Sequence, residues 1–178
     1  LITGCSGYIG QHLAKWLCDK YEVYGIDLHM PADMAPFTKF MDYDIREPIE
    51  DFVFDFADMP LEYDAIVHLA ALVRVNESCE QPSRYYTTNV NGTLNVLSHI
   101  DHKNFIFAST GAAANPTSPY AYSKIAAEHV VKEYCRHIPH TIFRFYNVVG
   151  SSGYPPTNHD GLFYNLIKAK DTCVFNLY

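Results

Sequence analysis

The stretch Thr3-Gly4-Cys5-Ser6-Gly7-Tyr8-Ile9-Gly10 carries three glycines at G-x-x-G-x-x-G spacing, and it decides the fold prediction. A dinucleotide pyrophosphate needs a tight turn, backbone N–H groups within reach, and a helix N-terminus directed at its charge. Glycines permit the turn and the close approach because they have no Cβ. The stretch therefore predicts a strand-to-helix turn that binds a dinucleotide. A glycine-rich turn without a ligand stays open as the alternative.

A carboxylate follows at the end of the next apolar run. Asp27 lies seventeen residues after Gly10 and directly after the run at 23–26. A carboxylate at this place can accept hydrogen bonds from both adenosine ribose hydroxyls, and it repels a 2′-phosphate. No arginine follows Asp27 until Arg46. The pattern predicts NAD rather than NADP as the cofactor, with an ordinary surface acid at a strand end as the alternative.

Short apolar runs alternate along the chain with segments of helical periodicity. The runs lie at 23–26, 40–41, 65–70, 105–108, 142–145 and 173–175. Several are apolar almost throughout, which is typical of strands that are covered on both faces of a parallel sheet. One of the helical segments carries Ile9, Leu13, Trp16 and Leu17 at helical spacing. The alternation predicts the α/β class, with a Rossmann-type doubly wound parallel sheet in one domain.

Composition excludes several classes of protein. The chain has 178 residues, of which 48% are hydrophobic, and a formal net charge of −7 without any lysine or arginine cluster. Disorder and a nucleic-acid-binding surface are therefore not expected. No apolar run approaches the roughly 18 residues of a membrane helix, and no signal-peptide pattern opens the chain, so we expect a cytoplasmic protein. Five cysteines without C-x-x-C spacing indicate reduced thiols, and the histidines show no metal-ligand spacing.

A tyrosine and a lysine lie four residues apart after a helix-start signal. Ser118 suits the N-cap and Pro119 the first helical position, so Tyr120 and Lys124 share one face of the predicted helix. A free phenol has a pKa near 10, and a nearby ammonium and a cationic nicotinamide would lower it. A lowering by about 3 units takes roughly 4 kcal/mol, which two partly buried cations can supply. A tyrosine that only packs, as expected for Tyr122, is the alternative.

The apolar run at 105–108 ends in two hydroxyl groups, those of Ser109 and Thr110. Catalytic groups in open α/β sheets lie at the carboxyl ends of strands. We therefore predict that Thr110 is the hydrogen-bond partner of a reacting hydroxyl. For Ser109 the alternative is ordinary capping of the strand end.

Together these residues resemble the extended short-chain dehydrogenase/reductases, and among them the nucleotide-sugar epimerase and dehydratase group. Further matches are the segments Asp44-Ile45, His68-Leu69-Ala70-Ala71, the helix start at 86–93, and Arg144-Phe145-Tyr146-Asn147-Val148-Val149-Gly150. The resemblance implies NAD contacts from Gly4, Gly7, Tyr8, Ile9, Gly10, Asp27, Asp44, Ile45, Leu69, Ala70, Ala71, Thr88, Lys124 and Tyr146. His68 is expected to be a core histidine with satisfied hydrogen bonds rather than a catalytic group.

The resemblance also implies the chemistry. Tyr120 would take a proton from a sugar hydroxyl, Thr110 would orient and relay it, and Lys124 would hold the nicotinamide ribose and lower the pKa of Tyr120. Thr110, Tyr120 and Asn147 would contact a nucleotide-sugar substrate, which is oxidised transiently at a sugar carbon while NAD is recycled.

Glu77-Ser78, Tyr85-Tyr86 and the Asn147 segment are similar to the UDP-glucose 4-epimerase subfamily. Dehydratases of the group carry acids directly after the catalytic threonine, where this chain has Gly111-Ala112-Ala113. A net nucleotide-sugar oxidoreductase and a catalytically silent NAD-binding scaffold remain as alternatives.

The chain departs from the family pattern at three places. Nine residues separate Thr110 from Tyr120, where relatives have a longer loop. The chain begins with Leu1, and it ends soon after Gly161. We therefore expect a truncated start and a NAD-binding domain over 1–178, in which 151–178 begin a substrate-binding region whose domain is largely absent. A homodimer is also expected from the resemblance.

Overall fold

The structure of the protein is a computed structural model, which describes residues 1–47, 59–60 and 62–148. The predicted apolar run at 173–175, the residues Val149 and Gly150, and the expected substrate-binding region at 151–178 lie outside the described residues. The expectation of a single domain across the whole chain therefore stays a prediction.

A parallel sheet of six strands forms the centre of the described structure. Its strands lie in the order β3-β2-β1-β5-β7-β8, and β4 and β6 pair separately as a second, two-stranded parallel sheet. The strands are β1 (Ile2–Thr3), β2 (Tyr24–Asp27), β3 (Lys39–Asp42), β4 (Glu62–Tyr63), β5 (Ile66–His68), β6 (Asp101–His102), β7 (Phe105–Thr110) and β8 (His140–Phe145). The prediction of a Rossmann-type parallel sheet is confirmed.

Helices connect the strands. They are α1 (Tyr8–Leu17), α2 (Val75–Glu80), α3 (Pro82–Tyr86), α4 (Gly92–His99) and α5 (Pro119–Tyr134). A π-helical turn at Thr87–Asn91 joins α3 to α4, and a 3₁₀ turn at Gly111–Ala114 follows β7. The predicted start of α5 is confirmed, since the Ser118 side chain accepts a hydrogen bond from the backbone N–H of Ala121 at 3.2 Å. Among the described residues, no helix is long and apolar enough to cross a membrane.

Two clusters of buried side chains hold the layers together. The larger joins the sheet to α4 and α5 through residues such as Ile66, Phe105 and Val131. The smaller packs α1 onto the sheet, with Ile2 and Ala14 among its members. Trp16 does not belong to either cluster, because 73% of its surface is exposed. Its place in the apolar spacing of the first helix therefore does not correspond to burial.

The strand order positions a crevice. From β1, the strands β2 and β3 follow toward one edge of the sheet, and β5, β7 and β8 follow toward the other edge. The direction in which successive strands are added therefore reverses between β1 and β5. Ligands of open α/β sheets bind at such a reversal, outside the carboxyl ends of the strands. The residues at those ends are Thr3, Asp27, Asp42, His68, Thr110 and Phe145. Most of the predicted site residues lie in or directly after them.

Candidate nucleotide-binding and active site

The glycine loop between β1 and α1 is shaped by close packing. Gly4 has a φ of +70°, and a Cβ on it would lie 2.6 Å from the backbone N of Ala70. A Cβ on Gly10 would lie 2.6 Å from the carbonyl oxygen of Gly4. At Gly7 the nearest neighbour of a Cβ would be that same oxygen, at 3.3 Å. The fold itself thus requires glycine at positions 4 and 10, whereas it tolerates a small side chain at position 7.

The first turn of α1 presents free backbone groups. Gly7 is the N-cap, and no side chain caps this helix end. The positive end of the helix dipole and its N–H groups are therefore available to an anion. Tyr8, Ile9 and Gly10 form this first turn. Their predicted role is to donate through the backbone, so it does not require their side chains to line a cavity.

A cleft of about 510 Å³ opens beside the glycine loop. Its wall comes from the loop, the end of β2, the segment after β3, the segment after β5 and the π-helical turn. The predicted cofactor residues that line it are Gly4, Gly7, Asp27, Asp44, Ile45, Leu69, Ala70, Ala71 and Thr88. The structure thus brings the predicted pyrophosphate, ribose and adenine contacts to one cleft.

Asp27 fastens the glycine loop to the end of β2. Its carboxylate accepts hydrogen bonds from the backbone N–H of Ser6 at 2.9 Å and from that of His29 at 3.3 Å. The Ser6 hydroxyl donates to the His29 carbonyl oxygen. The carboxylate is therefore held at the cleft by the same backbone that forms the loop.

The segment that carries Asp44 and Ile45 is fixed from two sides. The guanidinium of Arg46 donates from Nε to both carboxylate oxygens of Asp44 at 2.9 Å, and these bonds hold the pKa of Asp44 below its usual range. Asn95 of α4 donates its Nδ2 to the Ile45 carbonyl oxygen at 3.0 Å. The Ile45 side chain packs so closely on Gly92 that a Cβ there would lie 2.7 Å from its Cδ1. Sequence reasoning missed Asn95, because its partners are backbone atoms far away in sequence.

His68 lies at the centre of a buried chain of hydrogen bonds. Its Nδ1 is 2.7 Å from the Thr3 hydroxyl, and its Nε2 is 3.0 Å from the Thr93 hydroxyl. Thr93 uses its one hydroxyl hydrogen to donate to the Asn89 carbonyl oxygen at 2.7 Å, so Nε2 of His68 donates and Nδ1 accepts. Burial, helped by the charge of Lys124, lowers the pKa of His68 to about 3. This neutral, fully hydrogen-bonded ring agrees with the expected core histidine.

Asn89 in the π-helical turn connects the cleft wall to α5. Its side chain accepts from the backbone N–H of Leu72 at 2.8 Å, and it donates to the Leu72 carbonyl oxygen at 3.0 Å and to the Ser123 hydroxyl at 2.9 Å. Ser123 in turn donates to the Tyr120 carbonyl oxygen at 2.8 Å. Turns of this type are frequent at functional sites. This connection was not predicted, since its signal is a local irregularity of the helix.

Thr110, Tyr120 and Lys124 come together at the carboxyl ends of β5 and β7. The Thr110 hydroxyl is hydrogen-bonded to that of Tyr120, and the Tyr120 ring packs edge-on against Tyr85 with 6.4 Å between the ring centres. Lys124 is 3% exposed, and its Nζ lies 4.1 Å from the centre of the Phe107 ring. Thr110 and Lys124 are thus buried and Tyr120 is half-buried, and Tyr120 and Lys124 lie one helical turn apart on α5.

Burial controls the charge of Tyr120 and Lys124. It raises the pKa of Tyr120, against the effect of the hydrogen bond from Thr110. It also lowers the pKa of Lys124 to about 7, against the attraction of the Glu128 carboxylate. The protein's own residues thus do not produce the expected lowering of the Tyr120 pKa. The physical reason is that both groups leave water, which favours their neutral forms.

The residues after β8 lie apart from the cleft. Tyr146 is 79% exposed and Asn147 is also exposed. The Tyr146 ring lies over Gly111, where a Cβ would be 2.5 Å from the ring Cδ1. Tyr146 therefore does not line the cleft, and its predicted cofactor contact stays a prediction, as does the substrate contact of Asn147. In the described ranges no three His, Cys, Asp or Glu residues are grouped so that they could hold a metal ion.

Comparisons with known proteins agree with this geometry. A model described as the NAD dependent epimerase/dehydratase family matches residues 1–171. A UDP-glucose 4-epimerase of Streptococcus mutans is 30% identical over 175 residues, which cover 85% of this chain and 52% of the relative. The chain spans between 46% and 64% of the length of the curated relatives that it matches.

Two solved structures are similar to this chain. A UDP-glucuronic acid 4-epimerase of Bacillus cereus, in complex with NAD, has a TM-score of 0.75 at 28% identity and aligns over 97% of this chain and 62% of its own. A UDP-glucose 4-epimerase of Thermotoga maritima, with UDP-glucose, has a TM-score of 0.74 at 27% identity, over 90% of this chain and 58% of its own. With the family model, the glycine loop and the sheet order in agreement, the chain belongs to the NAD-dependent epimerase/dehydratase family.

Proposed function

We propose that this chain is the NAD-binding part of a nucleotide-sugar epimerase of the UDP-glucose 4-epimerase kind. The observation that carries the proposal is the placement of Thr110, Tyr120 and Lys124 at the carboxyl end of β7 and the start of α5, which Asn89 and Ser123 join to the wall of the cleft. UDP-sugar epimerases among the relatives and solved structures support this substrate class.

The residues of the cleft fit NAD. Gly7 lines the cleft, and no side chain caps the N–H groups at the start of α1. In the proposal the loop holds the pyrophosphate, Asp27 the adenosine ribose, and Asp44 with Ile45 the adenine. Leu69, Ala70, Ala71 and Thr88 complete the wall. NAD, when bound, supplies a hydride acceptor for oxidation at the sugar carbon.

The proposed roles of the reacting side chains follow from their contacts. Tyr120 accepts a proton at Oη from a sugar hydroxyl, and the hydrogen-bonded Thr110 hydroxyl orients and relays that proton. Lys124, as an ammonium, stabilises the Tyr120 phenolate. Because burial opposes both charges in the protein alone, full activation of Tyr120 needs a further positive charge in the closed site. Asn147 is proposed to contact the sugar.

The test uses the protein encoded by the complete reading frame. UDP-galactose is supplied with NAD, and UDP-glucose is measured together with the absorbance of free nicotinamide. Interconversion of the two sugars without NADH accumulation supports the epimerase. Stoichiometric NADH release instead selects a net oxidoreductase, and NAD binding without turnover of any UDP-hexose selects a silent scaffold.

The homodimer and the cytoplasmic location are also proposals. Cys5, Cys18, Cys79 and Cys135, the cysteines in the described part of the chain, are all free thiols, as in reducing compartments. A mass of two chains in sedimentation equilibrium supports the dimer, and a monomer mass refutes it. Cell fractionation tests the location, which recovery with membranes or secreted proteins contradicts.

A further inference from the structure

Glu128 of α5 is a buried carboxylate with three hydrogen bonds. The residue is 2% exposed. It accepts from the Ser109 hydroxyl at 2.6 Å, and from Nε and Nη2 of Arg144 at 2.8 Å and 2.7 Å. Ser109 and Arg144 are register partners on the neighbouring strands β7 and β8. One side chain of the helix thus binds two adjacent strands at the same level of the sheet.

The bonds of Glu128 join the segments that carry the proposed reacting groups. Ser109 directly precedes Thr110 at the end of β7. Arg144 lies three residues before Asn147, at the end of β8. Glu128 itself follows Lys124 by one helical turn, on the face of α5 that also carries Tyr120. A shift of α5 against either strand would therefore break a bond to Glu128.

The charges around Lys124 give Glu128 a second effect. The titratable groups that face this cluster are Tyr85 from α3, His68 from β5, Arg144 from β8, and Tyr120 and Lys132 from α5 itself. Burial acts to raise the pKa of Glu128, but the bonds from Arg144 and Ser109 outweigh it, so the net shift is downward. Glu128 therefore stays ionised, and its charge favours the ammonium form of buried Lys124.

Glu128 is buried, but the side chain of its partner Arg144 is 43% exposed. The ion pair therefore contributes little net stability, because desolvation of the carboxylate offsets an attraction that solvent weakens. A packed apolar pair could join α5 to β8 as well, but it would leave buried Lys124 without a negative charge nearby. The negative charge at position 128 is thus better explained by what it does to Lys124 than by stability.

We propose that Glu128 is a positioning residue for the reaction, which fixes Thr110, Lys124 and Asn147 relative to one another and supplies a negative charge one helical turn from Lys124. This inference rests on the proposed function for the reaction itself, but its effect on Lys124 does not require turnover. Sequence reasoning missed Glu128, although it continues the spacing Tyr120-x-x-x-Lys124 by four residues and Arg144 interrupts an apolar strand.

The first experiment measures the titration of Lys124 in Glu128→Gln. The variant keeps the shape of the side chain and one acceptor oxygen, but removes the charge. NMR of isotope-labelled lysine, assigned with Lys124→Met, follows the ammonium in the complete protein. We expect the pKa of Lys124 to fall by about one unit, which is a tenfold change in the ionisation equilibrium. Glu133→Gln, an exposed acid of the same helix, is the control and leaves the titration unchanged. An unchanged titration in Glu128→Gln overturns the electrostatic part of the proposal.

The second experiment separates charge from position in the rate. In Glu128→Gln the loss of kcat at high pH should begin about one unit earlier, since the rate needs the ammonium. Ser109→Ala keeps the charge and removes the bond to β7, so kcat should fall several-fold with no shift of the pH profile and little change in KM. A wild-type kcat in Ser109→Ala overturns the positioning role of Glu128. This test remains available even when Glu128→Gln does not fold. If the pKa of Lys124 falls in Glu128→Gln but the wild-type protein converts no UDP-hexose, the proposed function is refuted, whereas the effect of the Glu128 charge on Lys124 is supported.

Discussion

The glycine loop and the start of α5 form the two halves of the site, and they reach their chemistry in opposite ways. In the loop, the proposed function depends on backbone N–H groups and on glycines, which have no side chain. Packing alone already requires glycine at positions 4 and 10. At α5, function lies in side chains whose charge is opposed by their surroundings, as the raised pKa of Tyr120 and the lowered pKa of Lys124 show.

The difference teaches that the two halves depend on the ligand to different degrees. The loop holds its shape without a nucleotide, since the Asp27 carboxylate and the Gly4 carbonyl oxygen accept hydrogen bonds from its backbone. In the proposed mechanism, Tyr120 and Lys124 reach their active charge states only when a further cation enters, because burial favours their neutral forms. Changes in the loop should therefore alter folding or affinity, whereas changes at α5 should alter rate and pH dependence.

Tyr120→Phe should have the largest effect. The variant keeps the ring and its packing on Tyr85, but it removes the group that accepts the proton. A general base contributes about 10² to 10⁴-fold, so kcat of the complete protein should fall by that factor while the Kd for NAD changes little. Tyr122→Phe, at a position that is 51% exposed, is the matched control. Wild-type turnover by Tyr120→Phe would remove the catalytic assignment of α5.

Gly10→Ala and Gly7→Ala should separate the structural role of the loop from its role in binding. The methyl group at position 10 collides with backbone atoms, so the free energy of unfolding should fall by about 1–3 kcal/mol or more. At position 7 the loss should be about 1 kcal/mol or less, because only an N-cap changes. Gly7→Ala should nevertheless weaken NAD binding at least about tenfold, since Gly7 lines the cleft where the pyrophosphate is proposed to approach the backbone. Urea unfolding measures the free energy of unfolding of each variant, and titration measures its Kd for NAD. Equal destabilisation by the two variants contradicts the different roles of Gly10 and Gly7.

Lys124→Met should change how stability depends on pH. The pKa of Lys124 is about 7 in the folded protein against 10.5 for a free lysine. Between these values the unfolded chain binds a proton that the folded one does not, so stability rises with pH by up to about 1.4 kcal/mol per unit. Below about pH 7 the full penalty of a buried ammonium remains.

The variant therefore loses this rise, and its stability relative to wild type is greatest near pH 6 and declines toward pH 10. Urea unfolding across this range measures the difference, with exposed Lys132→Met as the control. A stability difference that stays constant with pH argues against a buried, easily deprotonated lysine.

Asp27→Asn should have the smallest effect, which is read in the selectivity between NAD and NADP. The wild-type protein should bind NAD at least about tenfold more tightly than NADP, because the carboxylate repels a 2′-phosphate. Asparagine keeps an oxygen for the N–H of Ser6 but lacks the charge, so the ratio of the two Kd values should shrink. Calorimetric titration gives both constants. Equal wild-type affinities for the two cofactors would refute the role of the carboxylate.

The sequence predicts the parts of the site whose chemistry depends on residue type and spacing. The glycine loop, Asp27 and the Tyr120–Lys124 pair are of this kind, and so is the order of strands and helices. Asn89 could not be predicted, because its partners include backbone atoms that only the fold brings near. For Glu128 the helical spacing was visible, but its partner Arg144 comes near it only in the folded sheet. The direction of the pKa shifts was not predictable either, since it depends on burial, which is a property of the packed structure.

The contact between Tyr146 and Gly111 couples two positions in the evolution of this chain. A side chain directly after Thr110, where acids are expected in the dehydratases of the group, would displace the exposed Tyr146 ring, since a Cβ there would lie 2.5 Å from the ring Cδ1. The effect of a substitution at 111 therefore depends on the residue at 146, which is epistasis with a steric cause. An acid at position 111, which elimination chemistry would need, would therefore be accommodated more easily after a smaller residue had replaced Tyr146.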